Sequence, residues 1–207
     1  MTRNFLVILL FLFCGKLTAN INLINTAQAV LDDLYDANGN TIIKKPTLRI
    51  TVDDKNAALY LRRSNVIELS EKAYRSCQAM GKDSLSALAY IVGHELAHAF
   101  QDTSRVPTTN FLAYHHHHGE GIFFEELADI QGVFIAYLAG YNTLEIMPTL
   151  IEKIYDEFDL SSDIKGYPTL QERQNTTIKV QELTQELIHL YEMGNYLLVL
   201  ELSLIHI

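Results

Sequence analysis

HELAHAF, His94–Phe100, sets two histidines four residues apart with Glu95 beside the first. On an α-helix such residues lie one above the other, so His94 and His98 can aim two ring nitrogens at one tetrahedral ion. Glu95 sits one residue round the helix, where it can approach a water on that ion without becoming a ligand. The competing reading is a helix that happens to hold two histidines. Ala89, Tyr90, Ile91, Val92 and Gly93 before the motif, with Leu96, Ala97, Ala99 and Phe100 in and after it, make the helix apolar almost all round. Such a helix is buried. Two imidazoles and a carboxylate inside it need partners, at a desolvation cost otherwise on the order of several kcal/mol. A metal supplies that partner.

Zinc takes a third protein ligand and, for catalysis, keeps a fourth position open. EELAD, Glu125–Asp129, places two acids four apart on one face of the next helical segment. Glu125 is the expected third ligand. Asp129 is expected to accept a hydrogen bond from the non-ligating nitrogen of a histidine and so fix its tautomer. Glu126 is the alternative ligand, but it has no acidic partner four residues on. Phe123, Phe124, Leu127, Ala128 and Ile130 argue against a solvated face here.

The rest of the chain frames this centre. Its 207 residues suit one domain with a real core. With 48% apolar and 20% charged residues the composition is globular, and a net charge of −9 argues against a nucleic-acid binder. Arg3 followed by FLVILLFLFC, Phe5–Cys14, and a small residue near Ala19 reads as a secretory signal over residues 1–19. The run is short for a bilayer span. Export to the periplasm or outside the cell follows, with lipid attachment through Cys14 as the alternative. Removal of the signal leaves Cys77 alone, so no internal disulfide is expected.

Periodicity predicts a helix over residues 22–35, a turn at DANGN, and a strand within 41–54 where Leu48, Ile50 and Val52 alternate with polar residues. Residues 57–70 read as two short strands around Arg63-Ser64-Asn65, and 70–81 as a short helix stopped by Gly81. A strong helix capped by Asp83 or Ser84 carries HELAH. Residues 103–121 read as a loop. Helices follow from Ile122 to Gly140, from about Thr143 to Phe158, and from about Gln171 to Glu192, with EMGNYLLVLE opening another. The expected class is α+β and mostly helical, with a small edge sheet and one domain over residues 20–200.

HELAH followed by EELAD resembles the gluzincin metallopeptidases, whose pattern is HExxH and then ExxxD on a following helix. Within them the chain looks most like the HtpX-like and BepA-like peptidases. The segment 57–74 sits where those enzymes have a hairpin that holds substrate as an added strand. DIQGVFIAYLAGY resembles their AD-x-x-G…AGY stretch, and GYPTLQER their His-Pro-x-x-x-x-Arg segment. Tyr167 stands where that segment usually has histidine, while Arg173 matches its arginine; the interval from His98 to Glu125 is short for the family. The resemblance covers roughly residues 48–190 and implies a zincin-like fold and a zinc endopeptidase. In that mechanism His94, His98 and Glu125 hold Zn²⁺ and Glu95 is the general base. Tyr167 or Arg173 would donate to the oxyanion, and a protein or peptide substrate would lie extended along an edge strand within residues 57–69. A non-catalytic zinc scaffold of the same fold, or a fold with no metal, is the rival.

Other features carry less. His115–His118 reads as an exposed loop that binds metal adventitiously. His189 reads as a structural histidine, and the pairs Asp32-Asp33 and Asp53-Asp54 as solvated charges at element ends. LSLIHI, residues 202–207, resembles the translation of a sequencing adapter. It is assigned no function, and relatives of this kind often continue into tetratricopeptide repeats.

Overall fold

The computed structural model describes residues 22–39, 42–103, 118–160 and 169–205. The signal segment, Cys14, His115–His117 and Tyr167 lie outside the described residues.

Residues 22–37 form helix α1, which buries Leu23, Ala27, Val30, Leu31 and Leu34 at helical spacing. A three-stranded sheet follows: β1 (Thr47–Thr51), β2 (Ala58–Leu61) and β3 (Val66–Ser70), in the order β1-β3-β2. β1 runs parallel to β3, with Thr47 opposite Val66 and Thr51 opposite Ser70. β2 runs antiparallel to β3, with Ala58 opposite Leu69 and Leu61 opposite Val66. The expected turn at Arg63-Ser64-Asn65 is present, with Asn65 in the left-handed region at φ 53. An asparagine tolerates that conformation because its side chain bonds locally; here the amide donates to the Lys44 carbonyl at 3.2 Å. β1 is shorter than the span read from the sequence. Val52 lies past its end and is 82% exposed.

Ile67 and Leu69 alternate along β3 and point into the core. Ser70 ends β3 and caps helix α2 (Glu71–Gln78), its hydroxyl accepting from the Ala73 N–H at 3.0 Å. Beyond Gln78 the backbone stays right-handed through Met80, and Gly81, at φ 63, turns it out of the helix and opens a 3₁₀ turn, Gly81–Asp83, that leads into α3 (Ser84–Thr103). α4 spans His118–Leu138, so the stretch from His118 to Gly121 is helical rather than loop. Gly140, at φ +87, ends α4: its N–H donates to the Tyr137 carbonyl and that of Tyr141 to the Ala136 carbonyl, both at 2.9 Å.

α5 (Met147–Glu157) starts later than periodicity suggested because Pro148 falls in its first turn, where a missing N–H costs nothing. α6 (Leu170–Ile205) is one helix of 36 residues. The expected break before EMGNYLLVLE is absent, since a single Gly194 costs only about 1 kcal/mol in a helix interior. Among the described residues no helix is long and apolar enough to cross a membrane. The class is α+β, mostly helical with a small sheet.

α3 and α4 pack directly against each other. A Cβ placed on Gly132 would stand 2.7 Å from the Gly93 carbonyl carbon, and one on Gly93 would stand 2.9 Å from the Gly132 oxygen. Only two glycines allow the backbones this close. β2 lies at the open edge of the sheet beside α3, so the sheet edge, α3, α4 and α6 meet around one cleft.

Candidate metal centre

α3 is buried along most of its length, as its apolar flanks require. His94 and His98 project from one face of it. Their Nε2 atoms are 3.1 Å apart. Glu125, on α4, places Oε2 at 3.3 Å from His94 Nε2 and Oε1 at 3.4 Å from His98 Nε2. His94, His98 and Glu125 form a group that could hold a metal ion.

The hydrogen bonds around the rings give this grouping its chemical sense. His94 Nδ1 lies 2.8 Å from Asp129 Oδ1, and His98 Nδ1 lies 3.2 Å from Gln101 Oε1. Asp129 can only accept, so His94 Nδ1 carries a hydrogen, and the Gln101 oxygen beside His98 Nδ1 suits the same arrangement there. Both Nε2 atoms then face each other and the Glu125 carboxylate. Two ring nitrogens and a carboxylate thus converge on one point, which calls for positive charge there, either a proton on a ring or a metal ion. The ring nitrogens are 3.1 Å apart and each lies near a different Glu125 oxygen, so the three side chains converge on one point as ligands of one ion do, and two imidazoles with one carboxylate are a donor set of the kind that holds a transition-metal ion.

Charge is arranged to match. Burial disfavours an imidazolium at His94, but hydrogen bonds to Asp129 and Glu125 outweigh it and raise the group to about 10. Burial pushes the Glu125 carboxyl up, yet the two histidines hold it well below the usual carboxylate range. The site thus attracts positive charge, and a proton and a metal ion compete for it.

Asp129 is almost fully buried and does more than orient His94. Its Oδ1 accepts from His94, from the Tyr90 hydroxyl and from Arg173 Nη2, each at 2.8 Å. Burial alone would raise its pKa; the Arg173 charge and these bonds lower it. Glu126 is not a ligand, since its carboxylate pairs with Lys179 on α6.

Glu95 is 8% exposed, and its Oε2 accepts from the Tyr60 backbone N–H at 2.7 Å. The strand register explains why that N–H is available. Ser70 N–H donates to the Ala57 carbonyl at 2.9 Å, so Ala57 pairs by hydrogen bonds with β3. By antiparallel alternation Leu59 and Leu61 turn their backbone groups inward, and Ala58 and Tyr60 turn theirs to the open edge. Of the two described strands within residues 57–70, β2 is the one at an edge, because β3 is flanked on both sides; the sequence allows either strand. Burial raises the Glu95 pKa, and the charges of His94 and His98 oppose that rise.

A cleft of about 300 Å³ joins these parts. His94, Glu95, His98, Glu125 and Arg173 line its floor, β2 one wall, and Ile151, Ile154 and Tyr155 of α5 another. The structure thus brings together His94, Glu95, His98, Glu125, Asp129 and Arg173, and it pairs Arg173 with Asp129, a contact the sequence did not indicate. Sequence reasoning missed Tyr90 and Gln101. Tyr90 sits one turn before His94, a spacing that could have shown it; Gln101, three residues after His98, could have been found the same way.

The remaining candidates fall elsewhere. His189 is on the exposed side of α6 and is not a core histidine. Asp32 and Asp33 are not helix-end charges: Asp32 pairs with Lys45 at 2.7 Å, and Asp33 accepts from the Tyr141 hydroxyl at 2.7 Å. Asp53 and Asp54 are exposed, as expected. No family model, curated protein or solved structure matches this chain.

Proposed function

We propose that this protein is a zinc-dependent endopeptidase of the gluzincin kind, similar to the HtpX-like and BepA-like peptidases, acting on proteins in the cell envelope or outside the cell. The observation that carries the reading is the convergence of His94, His98 and Glu125 on one point beside a buried Glu95 and an open strand edge. His94, His98 and Glu125 would hold the ion, with Asp129 fixing the His94 tautomer. Zinc, when bound, supplies a Lewis acid that polarises a carbonyl and lowers the pKa of a water from about 15.7 toward about 7.

The chain's own groups do the rest. Glu95, held through Oε2 by the Tyr60 N–H, has Oε1 to take a proton from the attacking water and to return it to the leaving amine. Its raised pKa suits a group that must hold a proton in mid-reaction. Arg173 lines the cleft and keeps one nitrogen on Asp129, which favours it as a donor to the developing oxyanion. A substrate strand would pair with the outward backbone of Ala58 on β2. The apolar leader over residues 1–19 supports export.

The test is casein cleavage by the wild-type protein and by Glu95→Gln, with zinc content measured on both. The reading expects one zinc in each and cleavage only by the wild type. Zinc in both without Glu95-dependent cleavage points to a metal-binding scaffold; no zinc in either removes both readings.

A further inference from the structure

Asp129 orients His94 through a charged acceptor. Among the described residues no acid meets the outer nitrogen of His98; Gln101 does. An amide is ambiguous, because it can present either oxygen or NH₂ to a ring nitrogen. If NH₂ faced Nδ1, that nitrogen would be the bare one. Nε2 would then carry the hydrogen, and the ring would point a donor at the centre where a lone pair is needed.

The far side of Gln101 removes the ambiguity. Its Nε2 lies 3.5 Å from the Phe124 carbonyl and 3.4 Å from Gln131 Oε1, both on α4. A backbone carbonyl only accepts, so the NH₂ belongs on that side and Oε1 belongs toward His98. We propose that Gln101 is a positioning residue: the Phe124 carbonyl sets its amide, the amide sets the Nδ1–H tautomer of His98, and Nε2 is left bare toward Glu125. Phe124 directly precedes Glu125, so the same side chain ties the second histidine to the helix that carries the third ligand. Being neutral, it selects the tautomer without adding charge to a cluster that already holds Asp129, Glu125 and Glu95. This inference rests on the reading of His94, His98 and Glu125 as a metal centre.

The experiment has two arms. In metal-free protein, long-range proton–nitrogen NMR reads the His98 tautomer. The wild type is expected to show Nδ1–H, Gln101→Leu to lose that preference, and Gln101→Glu, which still offers an acceptor, to restore it. In the second arm, competition with a chromophoric chelator reads zinc affinity. Gln101→Leu is expected to weaken zinc about 10- to 100-fold, and Gln101→Glu to weaken it less. An Nε2–H tautomer in the wild type overturns the proposal whatever the variants do. So does unchanged zinc affinity or an unchanged His98 tautomer in Gln101→Leu. A wild type that binds no zinc but shows Nδ1–H at His98, lost in Gln101→Leu, sinks the metal reading and leaves the role of Gln101 standing.

Discussion

Gly93 and Gly132 touch backbone to backbone, and that contact sets the distance between the helix bearing His94 and the helix bearing Glu125. A Cβ on Gly132 would meet the Gly93 carbonyl carbon and the His94 nitrogen at 2.7 Å, closer than real Cβ atoms come. Neither obstacle is a flexible side-chain tip, so α4 itself must move. Gly132→Ala is expected to destabilise the fold by about 1–3 kcal/mol. It should also weaken zinc binding, because Glu125 moves with α4. Thermal denaturation and chelator competition on the same variant measure both; a variant that keeps wild-type values in each would show that α4 is not held at this contact.

Asp129 is buried under three donors, one of them the Arg173 guanidinium. Asp129→Ala leaves that cation buried and unpaired, for a loss of about 3–5 kcal/mol. Asp129→Asn keeps the shape and is expected to weaken zinc about 10- to 100-fold. The folded-state pKa of Asp129 is lowered, so its contribution is present above the ordinary carboxylate pKa of about 3.9 and fades as pH falls below it. Denaturant titrations below pH 4 should therefore show a shallower acid loss in Asp129→Asn than in the wild type.

His94 gives the opposite slope. In the metal-free protein its pKa is raised to about 10, burial opposing and the bonds to Asp129 and Glu125 prevailing. Stability from that bound proton is complete below the unfolded value of about 6.5 and is lost as pH rises toward 10. The metal-free protein should thus weaken between pH 6.5 and 10. Zinc replaces the proton, so zinc affinity should rise with pH over the same range. Chemical denaturation with and without zinc at several pH values checks both signs.

Glu125 and Glu126 are neighbours with different duties. Glu126→Ala loses a pairing with the half-exposed Lys179, worth about 1 kcal/mol or less, and should keep its zinc. Glu125→Ala should lose it. Metal content of the two purified variants separates them.

Cys77 is buried on α2, and burial pushes its thiol up to about 12. A buried thiol is a poor nucleophile. Alkylation of Cys77 should therefore be slow in the native protein and become fast at the denaturant concentration where the helical signal is lost.

Much of the site was legible in the sequence because it is written at helical spacing. His94 and His98, and Glu125 and Asp129, each share a face by the four-residue rule, and the apolar flanks showed that those faces are buried. What lay between elements was less legible. Nothing local in residues 57–70 shows that β3 becomes the central strand, which depends on the parallel pairing of β1. α6 runs on through EMGNYLLVLE rather than breaking near Glu192, because the propensity cost of Gly194 is small beside the neighbouring helix formers. Pairings across elements, such as Asp33 with Tyr141 or Lys179 with Glu126, have no spacing signature. Gln101 belongs to the same class, since its role rests on a carbonyl of another helix.

Zinc-edge anomalous diffraction from crystals of the purified protein tests the central claim most directly. The account predicts one strong peak within about 2.0–2.2 Å of His94 Nε2, His98 Nε2 and a Glu125 oxygen. A peak on the His115–His118 run with none between His94, His98 and Glu125 would contradict it.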